Sequence, residues 1–366
     1  MKKINVTQPS LPSLEDFIPY LETIWENRWL TNNGPFHQQF EVELAKYLGV
    51  KYVSLFSNGT LALIASLQVL KIKGEVITTP YTFVATPHSL YWNNIKPVFC
   101  DINPNDCNID VNKIESLITP ETTAILPVHV YGAPCDTKKI DEIARTYGLK
   151  VIYDSAHAFG VKENGDSILN YGDLSVLSFH ATKIFNTFEG GAIVCHDKEM
   201  KKRIDYIKNF GFEDEITVVA PGINAKMNEF QSALGILQLK NIDNLISSCK
   251  EKSIYYIENL KKTKGIRLLK ESEDVNYNYS YFPIFVENNY PITRDNLYQK
   301  LKDNNIYARR YFYPLVTKFS PYRSLVNSTS IKNALQISEQ VICLPMYPDL
   351  EKEHQNQIIE IINGTA

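Results

Sequence analysis

The chain has 366 residues, 44% hydrophobic and 22% charged, with 38 basic against 41 acidic side chains and a net charge of -3. This composition supports a large buried core, excludes disordered, collagenous and coiled-coil classes, and requires no disulfide or metal staple. With no basic block it also lacks the footprint of non-specific nucleic-acid binding, so no nucleic-acid partner is expected.

The start, MKKINVTQPSLPSLEDF, has two lysines but no apolar run behind them. The longest apolar stretch, Leu61 to Leu70, is too short to span a bilayer, so a cytoplasmic protein with no membrane partner is expected. SLEDFIPYLETIWENRWL (13–30) reads as a helix leading into the turn-rich TNNGP. Then come seven short runs that read as buried strands: YVSLF (52–56), EVITTP (75–80), KPVFCDI (96–102), TAILPV (123–128), KVIYD (150–154), LSVLSF (174–179) and GAIVCH (191–196). Between them lie helical patterns such as LALIASLQVL (61–70) and DTKKIDEIARTYG (136–148), the latter closed by a glycine. This alternation predicts an α/β fold with a mostly parallel central sheet covered by helices, whose ligands gather at the carboxyl ends of the strands.

Beyond residue 240 the texture changes. NLISSCKEKSIYYIENLKK (244–262) reads as a long helix, IRLLK and NYSYFPIFV as more polar strands, and TRDNLYQKLKDNN as another helix. The expected division is a large domain over 1–240, including the N-terminal helix, and a smaller C-terminal α+β domain over 241–366, the two sharing one site. The six cysteines form no C-x-x-C pair, so free thiols are expected and no metal.

Three segments carry chemistry. Ser57-Asn58-Gly59-Thr60 follows a strand and opens a helix, which offers backbone N–H groups and a favourable dipole to a phosphate. On its own it reads equally as a helix start capped by Ser57 or Thr60. Asp154 ends the strand KVIYD, with His157 three residues on; alone, such an aspartate is as often a turn former. Lys183 closes SFHATK, just past a buried strand and ahead of Glu189-Gly190-Gly191-Ala192; alone, it reads also as a surface cation. Together they are a phosphate cradle, a carboxylate for a heterocyclic nitrogen and an imine-forming amine, the three parts pyridoxal phosphate needs.

From SNGTLAL through TPYTFVATPHSL, DINP, YDSAHAFG, SFHATK, EGGA and GINAKMNEFQSALG, the sequence resembles the DegT/DnrJ/EryC1/StrS sugar aminotransferases over almost its whole length. The resemblance implies the fold-type I aminotransferase architecture and pyridoxal 5'-phosphate that cycles through its pyridoxamine form (PLP/PMP). It makes Lys183 the Schiff-base lysine and proton shuttle, Asp154 the partner of the pyridinium nitrogen, and His157 a neighbour of the phenolic oxygen. Phe83 would stack on the ring, and Gly59, Thr60 and Ser178 would hold the phosphate. Asn224, in Gly222-Ile223-Asn224-Ala225-Lys226-Met227, would reach the phosphate of a neighbouring subunit, which implies a homodimer with active sites at the interface. Two departures stand out: Lys226 where many relatives have arginine, and Asn58 where many have a small residue, tolerable if its side chain turns outward.

The resemblance also implies the reaction. Lysine at 183, where dehydratase relatives carry histidine, favours transamination with L-glutamate as donor. The acceptor is expected to be a nucleotide-linked keto sugar bound near Thr31 and Asn33 of the 29–35 loop, Glu189, and Arg309, Tyr311 and Tyr313 of the segment ARRYFYPL, with Arg309 or Arg310 meeting a diphosphate. The pattern is most similar to enzymes that aminate C4 of dTDP-4-keto-6-deoxy-D-glucose for O-antigen and other lipopolysaccharide sugars. Amination at C3 of a dTDP-3-keto-6-deoxyhexose, a pyridoxal-phosphate dehydratase and an inactive regulatory homologue are the alternatives.

Overall fold

The structure, a computed structural model, describes residues 3–326 and 328–364. All seven predicted strands of the first part are present: β1 (Tyr52–Phe56), β2 (Glu75–Thr78), β3 (Lys96–Phe99), β4 (Thr122–Leu126), β5 (Lys150–Asp154), β6 (Leu174–Ser178) and β7 (Gly191–Cys195). They form one sheet in the order β1-β7-β6-β5-β4-β2-β3. Strand β7 runs antiparallel to both its neighbours, and the remaining pairs are parallel. Several strands stop earlier than the apolar runs imply. Pro80 and Pro127 lack the N–H that a ladder needs, so β2 and β4 end just before them, whereas Pro97 is tolerated because β3 lies at the sheet edge.

Side chains alternate across each strand, so one run feeds two cores. Val76, Ile152, Val176 and Ile193 lie in one core with Ala62, Leu63 and Ala65 of the helix Gly59–Val69. Val53, Leu55, Leu177 and Val194 lie in the other, with Phe40 and Leu44 of the helix Pro35–Leu48. Burial on both faces explains the near-continuous apolar runs and holds the strand ends rigidly in place.

The smaller lobe has an antiparallel sheet of β8 (Ile266–Leu268), β9 (Phe282–Val286) and β10 (Val341–Leu344). Ile284 of that sheet shares a core with Tyr256 of the helix Ile242–Leu260, Leu297 and Ile358. Residues Ile4–Asn5 run parallel to Ile306–Tyr307, and Ile4 is buried in this same core. The lobes are joined beside β3, where Asp101 accepts the backbone N–H groups of Asn333 (3.1 Å) and Ala334 (2.8 Å) at the start of the helix Lys332–Gln340. A carboxylate there satisfies orphan donors and complements the helix dipole. The six cysteines are free and buried, and among the described residues no helix is long and apolar enough to cross a membrane.

Candidate active site

The carboxyl ends of β1, β5 and β6 open into a cavity of about 270 Å³. Its walls include Gly59, Thr60, Phe83, Asp154, His157, Ser178, Lys183, Glu189 and Tyr311, so four separate sequence segments and part of the small lobe meet in one place.

The turn after β1 is shaped by close approach. A Cβ on Gly59 would lie 3.0 Å from the Cβ of Ser178, and one on Gly191 would lie 2.7 Å from the backbone of Asn58 and Gly59. The Gly190-Gly191 pair therefore lets β7 press against the turn. The cap expected of Ser57 or Thr60 is made by Asn58, whose Oδ1 accepts the Leu61 N–H at 2.9 Å. Its side chain thus folds onto the helix instead of turning outward. With that donor engaged, the leading N–H groups of Gly59 and Thr60 have no intrahelical acceptor and stand at the cavity wall.

Asp154 is buried at the end of β5. Its Oδ2 accepts from Thr86 Oγ1 at 2.8 Å and its Oδ1 from the Ala156 N–H at 3.1 Å. Burial pushes its carboxyl above the usual range, while those hydrogen bonds and the charge of Lys183 pull it back. His157 is also buried, and its Nδ1 accepts the Tyr131 N–H at 3.1 Å. Burial and the Lys183 charge hold the ring well below its ordinary pKa, so it is neutral with its proton on Nε2.

Lys183 sits in the turn after β6, where its N–H donates to His180 O at 2.8 Å. Its Nζ donates to the Tyr281 hydroxyl at 3.0 Å. Burial lowers its pKa to about 8, with Asp154 and Tyr311 acting in the opposite direction. About a tenth of the amine is then neutral at pH 7, far more than for an exposed lysine. A neutral amine of this kind is a nucleophile for a carbonyl and a carrier of protons.

The other expected site residues divide. Phe83 stands at the mouth, 59% exposed in the single chain. Tyr311 and Phe83 also line an adjoining recess of about 220 Å³, together with Arg309, Arg310 and Tyr313. Within it Arg310 is committed, lying over the rings of Tyr298 and Tyr313 and donating to Asp295 at 2.8 Å, while Arg309 is exposed and in no ion pair among the described residues. Thr31 and Asn33 are exposed and lie outside the cavity walls of their own chain. Their loop is held one step behind the mouth, where Leu30 O accepts the Glu229 N–H at 3.0 Å and Gln231 Nε2 donates to Glu189 O at 2.6 Å. Asn224 is exposed and also off these walls, and the neighbouring Lys226 Nζ donates to Asn209 Oδ1 at 2.9 Å.

Sequence reasoning missed Thr86, Tyr131, Tyr281 and Phe312. Thr86 had a signal, since it follows Thr82 by one helical turn within TPYTFVATPHSL and the two hydroxyls meet at 2.8 Å. Phe312 lay within the segment ARRYFYPL but was passed over between Tyr311 and Tyr313, and no local pattern links Tyr281 to Lys183.

The donor set fits pyridoxal phosphate. A glycine turn that a Cβ would fill faces a hydroxyl, and a buried carboxylate without a cation bonded to it shares the cavity with an amine. A strand-end site of this kind on a mostly parallel sheet is that of a fold-type I aminotransferase. The sequence matches the DegT/DnrJ/EryC1/StrS aminotransferase family over residues 13–363, and the chain belongs to that family. It is 54% identical to a dTDP-4-amino-4,6-dideoxy-D-glucose transaminase of Shigella dysenteriae, over 99% of this chain and 98% of the relative. It is 50% identical to the Escherichia coli protein of the same name, over 99% of each. Among solved structures it is similar to DesI in the presence of its TDP-sugar product, with a TM-score of 0.95 and 30% identity, over 99% of this chain and 93% of that one.

Proposed function

We propose that this chain is a pyridoxal-phosphate aminotransferase that moves an amino group from L-glutamate to C4 of dTDP-4-keto-6-deoxy-D-glucose. The observation that carries this reading is the meeting of the Gly59-Thr60 turn, Asp154 and Lys183 in one cavity. The names of the two relatives at 54% and 50% identity support the acceptor and the carbon. Bound there, the cofactor supplies an electron sink and a carrier for the amino group.

The protein supplies the rest. The N–H groups of Gly59 and Thr60, with the Ser178 hydroxyl, bind the phosphate at a helix N-terminus. Asp154 accepts a hydrogen bond from the protonated ring nitrogen, and Thr86 aims its carboxylate. His157, fixed as the Nε2–H tautomer, donates toward the phenolic oxygen. Lys183 Nζ removes a proton from the carbon that loses the amine and returns one to the carbon that gains it. Phe83 covers the ring at the mouth, while Glu189, Arg309, Tyr311 and Tyr313 bound the acceptor side.

The same reading places two copies together. Phe188, Phe210, Phe212, Ile216 and Val218 are exposed in the single chain, Ile216 by 89%, and Asn224 is exposed as well. Covering this apolar surface in a homodimer would bring Asn224, and the loop of Thr31 and Asn33, to a partner's site. In this account residues 1–240 hold the cofactor, apart from the Ile4–Asn5 strand that joins the small-lobe core, residues 241–366 close the acceptor side, and the enzyme works in the cytoplasm on sugars for O-antigen or other lipopolysaccharide.

Cofactor-loaded protein given L-glutamate and a panel of dTDP- and UDP-linked keto sugars tests this. The expected result is 2-oxoglutarate and an aminated dTDP sugar from the 4-keto substrate in preference to the 3-keto isomer. A dehydrated sugar without nitrogen, or no turnover with any sugar, would falsify the reading.

A further inference from the structure

The segment Val130-Tyr131-Gly132 follows β4 and bonds to two residues of the cavity wall, His157 and Tyr311. Tyr131 has φ 57 and Gly132 has φ 87, a left-handed backbone that is uncommon for a bulky side chain. A Cβ on Gly132 would lie 2.9 Å from His157 O, so the turn is pressed onto the histidine. The Tyr131 N–H is the donor that sets the His157 tautomer. From the same residue the hydroxyl reaches across to the small lobe and donates to the backbone carbonyl of Tyr311.

Tyr81, fully buried, joins it. Its hydroxyl is 2.6 Å from that of Tyr131 and 2.9 Å from the same Tyr311 carbonyl. Three oxygens thus meet with two protons between them. Both hydroxyls are placed to donate to the carbonyl, and either can donate to the other. Burial pushes both phenols well above their usual range, so both protons stay in place. On its other side the 309–313 segment is tied to β10, where Arg309 N–H donates to Cys343 O at 3.1 Å and Cys343 N–H to Arg309 O at 2.7 Å. The Tyr311 carbonyl is therefore one point where this wall is fastened to the large lobe, beside the packing of Phe312 on Tyr81.

We propose that Tyr131 and Tyr81 are positioning residues for the acceptor half of the reaction: their hydroxyls hold the 309–313 segment in register with the cofactor side. This rests on the function proposed above. Tyr131→Phe keeps the ring and the backbone N–H to His157 and removes only the clasp. The donor half-reaction should therefore survive, while the acceptor wall loses its anchor.

The test separates the halves in cofactor-loaded protein. The spectral change on adding L-glutamate reads the donor half, and its reversal by the keto sugar reads the acceptor half. For Tyr131→Phe, a donor rate within about twofold of wild type and a KM for the sugar raised about tenfold are expected, and for Tyr81→Phe a smaller rise of about threefold. Equal slowing of both halves, or an unchanged sugar KM in both variants, would overturn the proposal. If Tyr131→Phe does not fold, Tyr81→Phe is read by the same criterion. A wild-type protein that shows no spectral change with L-glutamate would overturn the underlying function as well. One that completes both halves while the variants slow equally would overturn the clasp alone.

Discussion

On the proposed cofactor side of the cavity, Asp154 and Ser178 end strands buried on both faces, a Cβ on Gly59 would press on Ser178 at 3.0 Å, and one on Gly191 would meet the Asn58 and Gly59 backbone at 2.7 Å. On the proposed acceptor side, Arg309, Tyr311 and Tyr313 belong to a loop joined to the small sheet by the Arg309–Cys343 bridge and to the large lobe by two phenol hydroxyls. One wall gets its geometry from the sheet, and the other borrows it through a few hydrogen bonds. The shared chemistry of a family can sit on the first wall while substrate preference changes on the second.

The contrast can be broken most severely on the cofactor side. Lys183→Ala removes the amine proposed to move the proton, and turnover is expected to fall by at least about 1,000-fold, read as 2-oxoglutarate formed from L-glutamate. Asp154→Asn removes the buried negative charge and should lower turnover by about 100-fold or more, with cofactor still bound through the phosphate turn. Gly191→Ala forces a methyl group to within 2.7 Å of the Asn58 and Gly59 backbone, which cannot rotate away. Weaker cofactor retention on dialysis is expected, with a stability loss of about 1–3 kcal/mol in denaturant unfolding.

The sheet side was also the legible side. KVIYD and SFHATK announce their own strand ends and short apolar runs located all seven strands, so Asp154 and Lys183 stood out as local candidates, while Ser178 came from the family resemblance. The tie between Tyr131 and Tyr311 spans 180 residues and depends on how two lobes dock, for which no spacing rule exists. The recess beside Phe83 is likewise assembled from distant segments, which is why Arg309 and Arg310 could not be told apart until the latter was seen paired with Asp295. The role of Asn58 was misjudged for a smaller reason: Asn, Ser and Thr all make good N-caps, and sequence alone does not choose among them.

Two gentler changes sharpen the comparison. Thr86→Val deletes a hydrogen bond to a buried carboxylate and should cost about 1–3 kcal/mol, seen as roughly tenfold slower turnover with an unchanged KM for the sugar, the opposite signature to Tyr131→Phe. The other change is in pH. Burial disfavours charged Lys183 and brings its pKa to about 8, so the reactive neutral fraction rises as pH climbs toward that value and levels off above it. The rate of cofactor uptake by cofactor-free protein should follow, rising about tenfold per pH unit well below pH 8. Uptake that keeps rising to pH 10 would mean the amine is not buried.

The most direct test of the whole account supplies L-[15N]glutamate and dTDP-4-keto-6-deoxy-D-glucose to the cofactor-loaded protein and reads the product by NMR. The account expects 15N bonded to C4 of the sugar, with one 2-oxoglutarate formed for each amino sugar. Nitrogen at C3, or a deoxygenated sugar carrying none, would contradict it.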